Sequence, residues 1–289
     1  MKCTRPRPLK PWKSIYNSGN QVSPTIYVDC GKCLNCKINK AREWTTRLIH
    51  ETNISQSTIF ITLTYDTEHL PPEGVRKSDI QDFISDLRKV CGSGIRYFIG
   101  SEYGDSSDGT HRPHYHGFIF NAPDWLKDTP CTGADRVETR LGKANSRSLV
   151  NTYYNDIWRR GFVTVGEFHP RRAGYLAHYY VDKADAPQGM SPNFSLMSKR
   201  PGIGADFYAA VSDKVIAGKP IITHLGTALA VPRYYRRLRS RLTGESFDPY
   251  DLEGISRINE SKKLRVDLAE IIEVNSQRQE HLTSKSKQI

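Results

Sequence analysis

No run of residues in this chain approaches the ~18 apolar positions needed to cross a bilayer, and Met1 to Pro6 lack the apolar core of a secretion signal. Both absences make the reducing bacterial cytoplasm the expected setting and argue against a membrane partner. The pattern Gly-x4-Gly-Lys-Ser/Thr occurs nowhere, so an ATP-driven helicase of the phosphate-loop kind is not expected within the chain. No internal repeat is present. The second Cys-x2-Cys pair of common zinc modules is also missing.

What the chain does have is positive charge. Forty-two Lys and Arg face 31 Asp and Glu over 289 residues, a net charge of +11 that favours a polyanionic partner such as nucleic acid. That length provides for one large domain or two modest ones. Three of the six cysteines stand as Cys30-x2-Cys33-x2-Cys36, with Cys3 upstream and Cys91 and Cys131 far apart. In a reducing compartment, thiolates so spaced suit one tetrahedral Zn²⁺, with Cys3 or a histidine as fourth ligand; packed free thiols are the alternative.

Residues 1–29, rich in Pro, Ser, Asn and Gly, predict an extended arm, and Ala41, Trp44, Leu48 and Ile49 predict an amphipathic helix from about Ile38 to Asn53. Thr58 to Asp66 is a β-branched and aromatic run that predicts a central strand. A helix with an N-cap is expected from Ser78 to Val90, stopping at Gly92. Ile95 to Tyr103 predicts a second strand, turning through Gly104–Thr110 into a third strand that ends at Phe120. Residues 121–146 read as a surface insertion. The apolar stripe Val150, Tyr153, Tyr154, Ile157 and Trp158 predicts a helix over Ser148–Arg160, followed by a fourth strand over Gly161–Phe168 and a helix over Arg171–Lys183. This order fits an α+β fold, an antiparallel four- to five-stranded sheet backed by helices on one face. From about Glu260 the chain reads as an exposed helix fading into a disordered tail. The expected divisions are 1–54 for arm, cysteine cluster and helix, 55–205 for the core, and 206–289 for a basic C-terminal helical extension.

The third strand carries the chemistry. In Arg112-Pro-His-Tyr-His116, residues i and i+2 share one strand face, so His114 and His116 aim two imidazoles at one point. A half-buried strand with two surface histidines is the plain alternative. If the second and third strands pair, Glu102 adds a carboxylate, and this mixed set suits Mg²⁺, Mn²⁺ or Zn²⁺ with positions open for water or a phosphate oxygen. On the following helix, Tyr175, Tyr179 and Lys183 fall at i, i+4 and i+8 on one face, a spacing that serves either packing or nucleophiles. A tyrosine can attack phosphorus and stay attached while a nearby cation offsets charge on the phosphate oxygens. A second tyrosine one turn away allows a second cleavage while the first link persists.

The set Phe60-Ile-Thr-Leu-Thr-Tyr65, Glu102-Tyr-Gly, Arg112-Pro-His-Tyr-His116 and Tyr175-x3-Tyr179-x3-Lys183 resembles the three motifs of HUH (His-hydrophobe-His) rolling-circle replication initiators. The cysteine cluster, the Glu43-Trp44 helix and Met197-Ser-Lys-Arg-Pro-Gly-Ile-Gly204 are similar to those of gokushovirus-type microvirus initiators, and the likeness runs over about residues 1–205. Tyr115 stands at the hydrophobe position. The resemblance implies an HUH endonuclease fold and a nicking and joining enzyme for viral origin DNA, working with host helicase and polymerase. It implies Tyr175 and Tyr179 as alternating nucleophiles, Lys183 on the scissile phosphate, and Glu102, His114 and His116 as ligands of Mg²⁺ or Mn²⁺. Candidate DNA contacts are Arg112, Arg171, Arg172, Lys199, Arg200, Arg236 and Arg237; the segments 198–204 and 234–241 could equally be an ordinary loop and a solvated helix face. Alternatives are a zinc-stabilised nucleic-acid-binding protein without catalysis, or an HUH transposase or relaxase.

Overall fold

The computed structural model describes residues 3–9, 16–17, 20–21, 26–104, 111–123, 149–150, 156–181, 186–211, 221–222, 228–229 and 231–244. Most of the expected insertion, Cys131, Lys183 and the expected tail lie outside them. The chain divides into two compact units, Met1–Lys37 with Glu245–Ile289, and Ile38–Gly244. In the first, β1 (Arg7–Leu9) pairs antiparallel with β4 (Ile26–Val28), and β2 (Tyr16–Asn17) with β3 (Asn20–Gln21). Helix α1 (Leu34–Ile54) starts in this unit and continues into the other.

The second unit is built on a fully antiparallel sheet. Its long strands are β5 (Thr58–Tyr65), β6 (Arg96–Tyr103) and β7 (Pro113–Phe120), then β9 (Gly161–Glu167) beside the two-residue β8 (Leu149–Val150). With β10 (Ser195–Met197) the order is β10-β6-β7-β5-β9-β8. Two short edge strands thus extend the expected four or five to six. The helix expected over Ser148–Arg160 is corrected: Leu149 and Val150 pair with Val165 and Thr164 as an edge strand, and helical structure is confined to 156–158 among the described residues of that stretch. A free sheet edge offers unpaired backbone donors and acceptors, and pairing with them outweighs a helical apolar stripe.

Helices cover both sheet faces, not one. Ile59, Ile61, Leu63 and Tyr65 alternate from β5 into a core with Ile80, Phe83, Ile84 and Leu87 of α2 (Lys77–Cys91). On the other face, Phe60, Phe98 and Phe118 pack with Trp44, Leu48 and Ile49 of α1 and with Ala173, Leu176 and Ala177 of α3 (Pro170–Val181). The strands are apolar on both faces in one half, so each face has to be covered. In the other half the second face turns polar, with Thr62, Thr64, Glu102, His114 and His116. α2 begins one residue before Ser78, its preceding residue Arg76 making no side-chain cap, and ends as expected at Gly92.

The remaining elements are α4 (Ala205–Val211), β11 (Ile221–Ile222) paired with β12 (Ala228–Leu229), and α5 (Arg233–Thr243). Tyr235 of α5 is fully buried, stacked on Tyr208 at 4.8 Å and hydrogen-bonded to His50 Nδ1 of α1 at 3.0 Å. α1 from Ile38 onward and α5 therefore share one compact unit with the sheet, although they were expected in separate flanking segments. Among the described residues no helix is long and apolar enough to cross a membrane.

Candidate metal and phosphoryl-transfer site

Three neighbouring strands supply the polar half of the second face. In the β6–β7 register Glu102 lies opposite His114 and Gly100 opposite His116; in the β5–β7 register Thr62 lies opposite His116. Pleating puts all these side chains on one face. Glu102 Oε2 stands 3.6 Å from His114 Nε2 and 3.5 Å from His116 Nε2, and the three ligand atoms lie within 4.8 Å of one another. Ligands about 2.1 Å from a shared ion sit roughly 3.0–3.4 Å apart, close to these spacings.

A cation fits this set on independent grounds. Glu102 Oε2 is buried and accepts no hydrogen bond, an arrangement that costs free energy unless a positive charge meets it. Each imidazole is oriented through its other nitrogen. His114 Nδ1 lies 3.0 Å from the Arg112 carbonyl, to which it donates, and His116 Nδ1 lies 2.8 Å from Thr62 Oγ1. Those bonds place the Nε2 lone pairs toward Glu102, the usual outer support of metal-binding histidines. Phe60 stacks on His116 at 5.7 Å.

The electrostatics of the two histidines diverge. Burial opposes the charged form of His114, but hydrogen bonds to Glu102 and the Arg112 carbonyl, with the carboxylate's charge, hold its pKa above the ordinary value. Burial, then the neighbouring His114 and Arg172, push His116 down to about 3, which keeps it neutral and able to coordinate.

Tyr175 on α3 reaches this site. Its ring meets that of His116 edge to face at 6.2 Å, and it lines a small cleft with Gly100, Ser101, Glu102, His116 and Leu176. Tyr179 lies one helical turn further along α3, its side chain outside the described residues, as is the whole of Lys183. Arg172 lies over the Phe60 ring at 4.8 Å and donates to the Glu167 carbonyl at 3.0 Å. Arg112 donates twice to the Tyr65 carbonyl, at 3.3 and 3.1 Å, and so ties the end of β5 to the start of β7.

Tyr115, between the two histidines, points into the opposite core and is fully buried. Its hydroxyl accepts from the Arg76 N–H at 2.8 Å and lies 2.7 Å from the Tyr65 hydroxyl, which donates to Asp79 at 2.6 Å. A polar tip is accommodated there because every group in the network has a partner. The other candidate DNA residues fall elsewhere. Arg171, Lys199 and Arg200 are exposed, while the loop that carries the last two is held by the Gly204 N–H to Glu51 (2.6 Å), Arg47 to the Ile203 carbonyl (3.0 Å) and the Gly202 N–H to Tyr234 (3.1 Å). On α5 the exposed stripe is Arg233, Arg237 and Arg241, at i, i+4 and i+8, whereas Arg236 is partly buried. Arg233 and Arg241 were missed because a run of arginines conceals which face of its helix is packed.

Residues 58–184 match the replication-associated protein family described by the name ORF2. Over this stretch the chain belongs to that family. It is 28% identical over 234 residues to replication-associated protein VP4 of Bdellovibrio phage phiMH2K, covering 77% of this chain and 70% of that protein. Identity is also 28% over 237 residues to replication-associated protein ORF2 of Spiroplasma virus 4, covering 76% and 70%. For replication-associated protein ORF4 of Chlamydia phage 1 it is 24% over 240 residues, covering 78% and 56%. No solved structure matches. The resemblance to gokushovirus-type replication initiators is upheld by these comparisons. Glu102, His114, His116, Tyr175, Tyr179 and Lys183 all fall within the family segment 58–184; the cysteine cluster and α5 lie outside it.

Proposed function

We propose that this member of the replication-associated protein family initiates rolling-circle replication by nicking and rejoining one strand of phage origin DNA through phosphotyrosine intermediates. The observation that supports this most is the meeting of Glu102, His114 and His116 with the Tyr175 ring, brought from two strands and a helix to one cleft. The three ligands would hold Mg²⁺ or Mn²⁺, which polarises a non-bridging phosphate oxygen when bound. Tyr175 or Tyr179 attacks the phosphorus through its phenolic oxygen. The Tyr–O–P bond forms as the P–O3′ bond breaks, the phenol giving up its proton and the departing 3′ oxygen gaining one. The bond energy is thus kept for rejoining. The other tyrosine cuts the regenerated origin after one round of synthesis, and the 3′-hydroxyl so released attacks the first phosphotyrosine to circularise the displaced strand. Lys183, four residues beyond Tyr179, is proposed to hold the scissile phosphate.

On this reading the protein works in the host bacterial cytoplasm and borrows the host helicase and polymerase. A nucleic-acid-binding role without catalysis leaves the buried Glu102 oxygen without a purpose. The test is reaction with an origin oligonucleotide in Mn²⁺, followed by mass spectrometric mapping of the adduct. A 5′-phosphotyrosine on Tyr175 or Tyr179 is expected, with none in the Tyr175→Phe, Tyr179→Phe double variant. Full cleavage by that variant, or by wild type in excess chelator, would overturn the reading.

A further inference from the structure

Outside the family segment 58–184, Cys3, Cys30, Cys33 and Cys36 converge with all four sulfurs within 4.8 Å of one another. Three separate pieces of chain deliver them. Cys3 precedes β1, Cys30 and Cys33 follow β4, and Cys36 lies in the first turn of α1. The β1–β4 ladder brings Cys3 to Cys30 across 27 residues, the Cys30 N–H donating to Cys3 Sγ at 3.3 Å. We infer that these four cysteines hold one zinc ion as thiolates, clasping the N-terminal ladder to the start of α1.

Sulfur spacing carries the inference. Cys30 and Cys36 Sγ are 4.0 Å apart, and Cys33 and Cys3 Sγ 3.8 Å. Four thiolates about 2.3 Å from one tetrahedral ion lie ~3.8 Å from each other. Disulfide sulfurs lie at about 2.05 Å, and all four cysteines are free. The Cys-x2-Cys-x2-Cys spacing alone also suits an iron–sulfur cluster, but its thiolates bind several irons around bridging sulfides and are spread more widely than these. The missing second Cys-x2-Cys pair is supplied by Cys3 and Cys36, which sequence spacing does not group.

The local backbone is arranged for a charged sulfur. Cys30 Sγ accepts the N–H of Lys32 at 3.4 Å and of Cys33 at 3.2 Å, donors that favour thiolate over thiol. Gly31, at φ 71°, forms the turn that aims them, in a conformation side-chain-bearing residues rarely adopt. This unit also has little else to hold it. Among its described residues the buried ones are Cys30, Cys36 and Asn35, so it has no apolar core of its own there. A segment with so little to bury needs a staple, and a structural metal provides one. Soft thiolates separate this site chemically from the carboxylate and imidazoles of the catalytic centre.

The experiment uses the full-length protein purified under reducing conditions without added metal. Elemental analysis is expected to find one zinc per chain, released when a mercurial titrates the thiols. The stoichiometry persists in a Glu102→Ala, His114→Ala, His116→Ala variant and is lost in Cys33→Ser, Cys36→Ser. Because the cysteine variant can fail to fold, Co²⁺ is also exchanged into wild-type protein, where intense visible bands with thiolate-to-metal charge transfer are expected of a tetrahedral tetrathiolate site. Zinc at background level in freshly reduced wild type, iron in its place, or zinc that follows the Glu102 and histidine substitutions would overturn the assignment. Zinc binding that persists while nicking proves absent would leave this inference standing and sink the proposed function alone.

Discussion

Thr62→Val changes one hydroxyl to a methyl and nothing else in volume, and its consequence can be worked out from the site. Thr62 Oγ1 is the partner of His116 Nδ1 at 2.8 Å, beneath an imidazole that packs against Phe60 and Tyr175. Valine keeps the β-branched shape that suits β5, so the strand persists. The buried His116 N–H loses its acceptor, at about 1–3 kcal/mol. If that cost falls on the metal-bound state, affinity drops by about 5- to 160-fold, overlapping the roughly 10- to 100-fold seen when outer-shell partners of ligating histidines are removed. Mn²⁺ titration followed by electron paramagnetic resonance reads the affinity directly, and nicking against Mn²⁺ concentration reads its consequence. The half-saturating concentration should rise by at least about tenfold, with activity restored at high Mn²⁺. Equal affinity in a folded Thr62→Val protein would refute the claim that this bond orients His116 for coordination.

Other consequences reach beyond the site. A Cβ at Gly117 would meet the Phe98 carbonyl at 2.6 Å and Ile99 Cα at 2.9 Å, so Gly117→Ala should push β6 from β7 and lower the urea midpoint by an amount equivalent to several kcal/mol; an unchanged midpoint would contradict the close strand approach. Burial pushes His50 down to about 4, below its ordinary 6.5. The unfolded chain therefore takes up that proton first as pH falls, so stability is full above about 6.5 and drops by about 2 kcal/mol by pH 5. The slope in denaturant midpoint should shrink in His50→Gln, which has no proton to gain. Replacing Arg233, Arg237 and Arg241 by alanine should reduce the slope of log K for DNA against log salt by about 2–3, if each meets a phosphate. A slope that stays as in wild type would leave this stripe as a solvated surface.

Much of the catalytic unit was legible in the sequence where patterns are local. β5, β6 and α2 lie within one residue or so of their expected bounds, because two-residue and near-four-residue apolar periods report strand and helix directly. Leu149 and Val150 misled because their strand is made by an edge of β9, not by their own neighbours. The second helical layer was missed for a related reason. Phe60, Phe98 and Phe118 looked like part of strong strands, and only the packed structure shows that α1 and α3 cover them. Tyr115 shows the opposite case: an apparent departure from an apolar position finds its explanation in Tyr65 and Arg76, contributed by other elements.

The histidine pair marks the division. That His114 and His116 share a face was determined by the sequence, because strand pleating is a property of adjacent residues. That Glu102 faces His114, that Thr62 lies 54 residues from the His116 nitrogen it orients, and that Cys3 closes a four-sulfur cluster with Cys30, Cys33 and Cys36 were decided by tertiary structure alone. Strand register and chain crossings are set by packing summed over whole elements, and a short stretch of sequence holds no record of that sum.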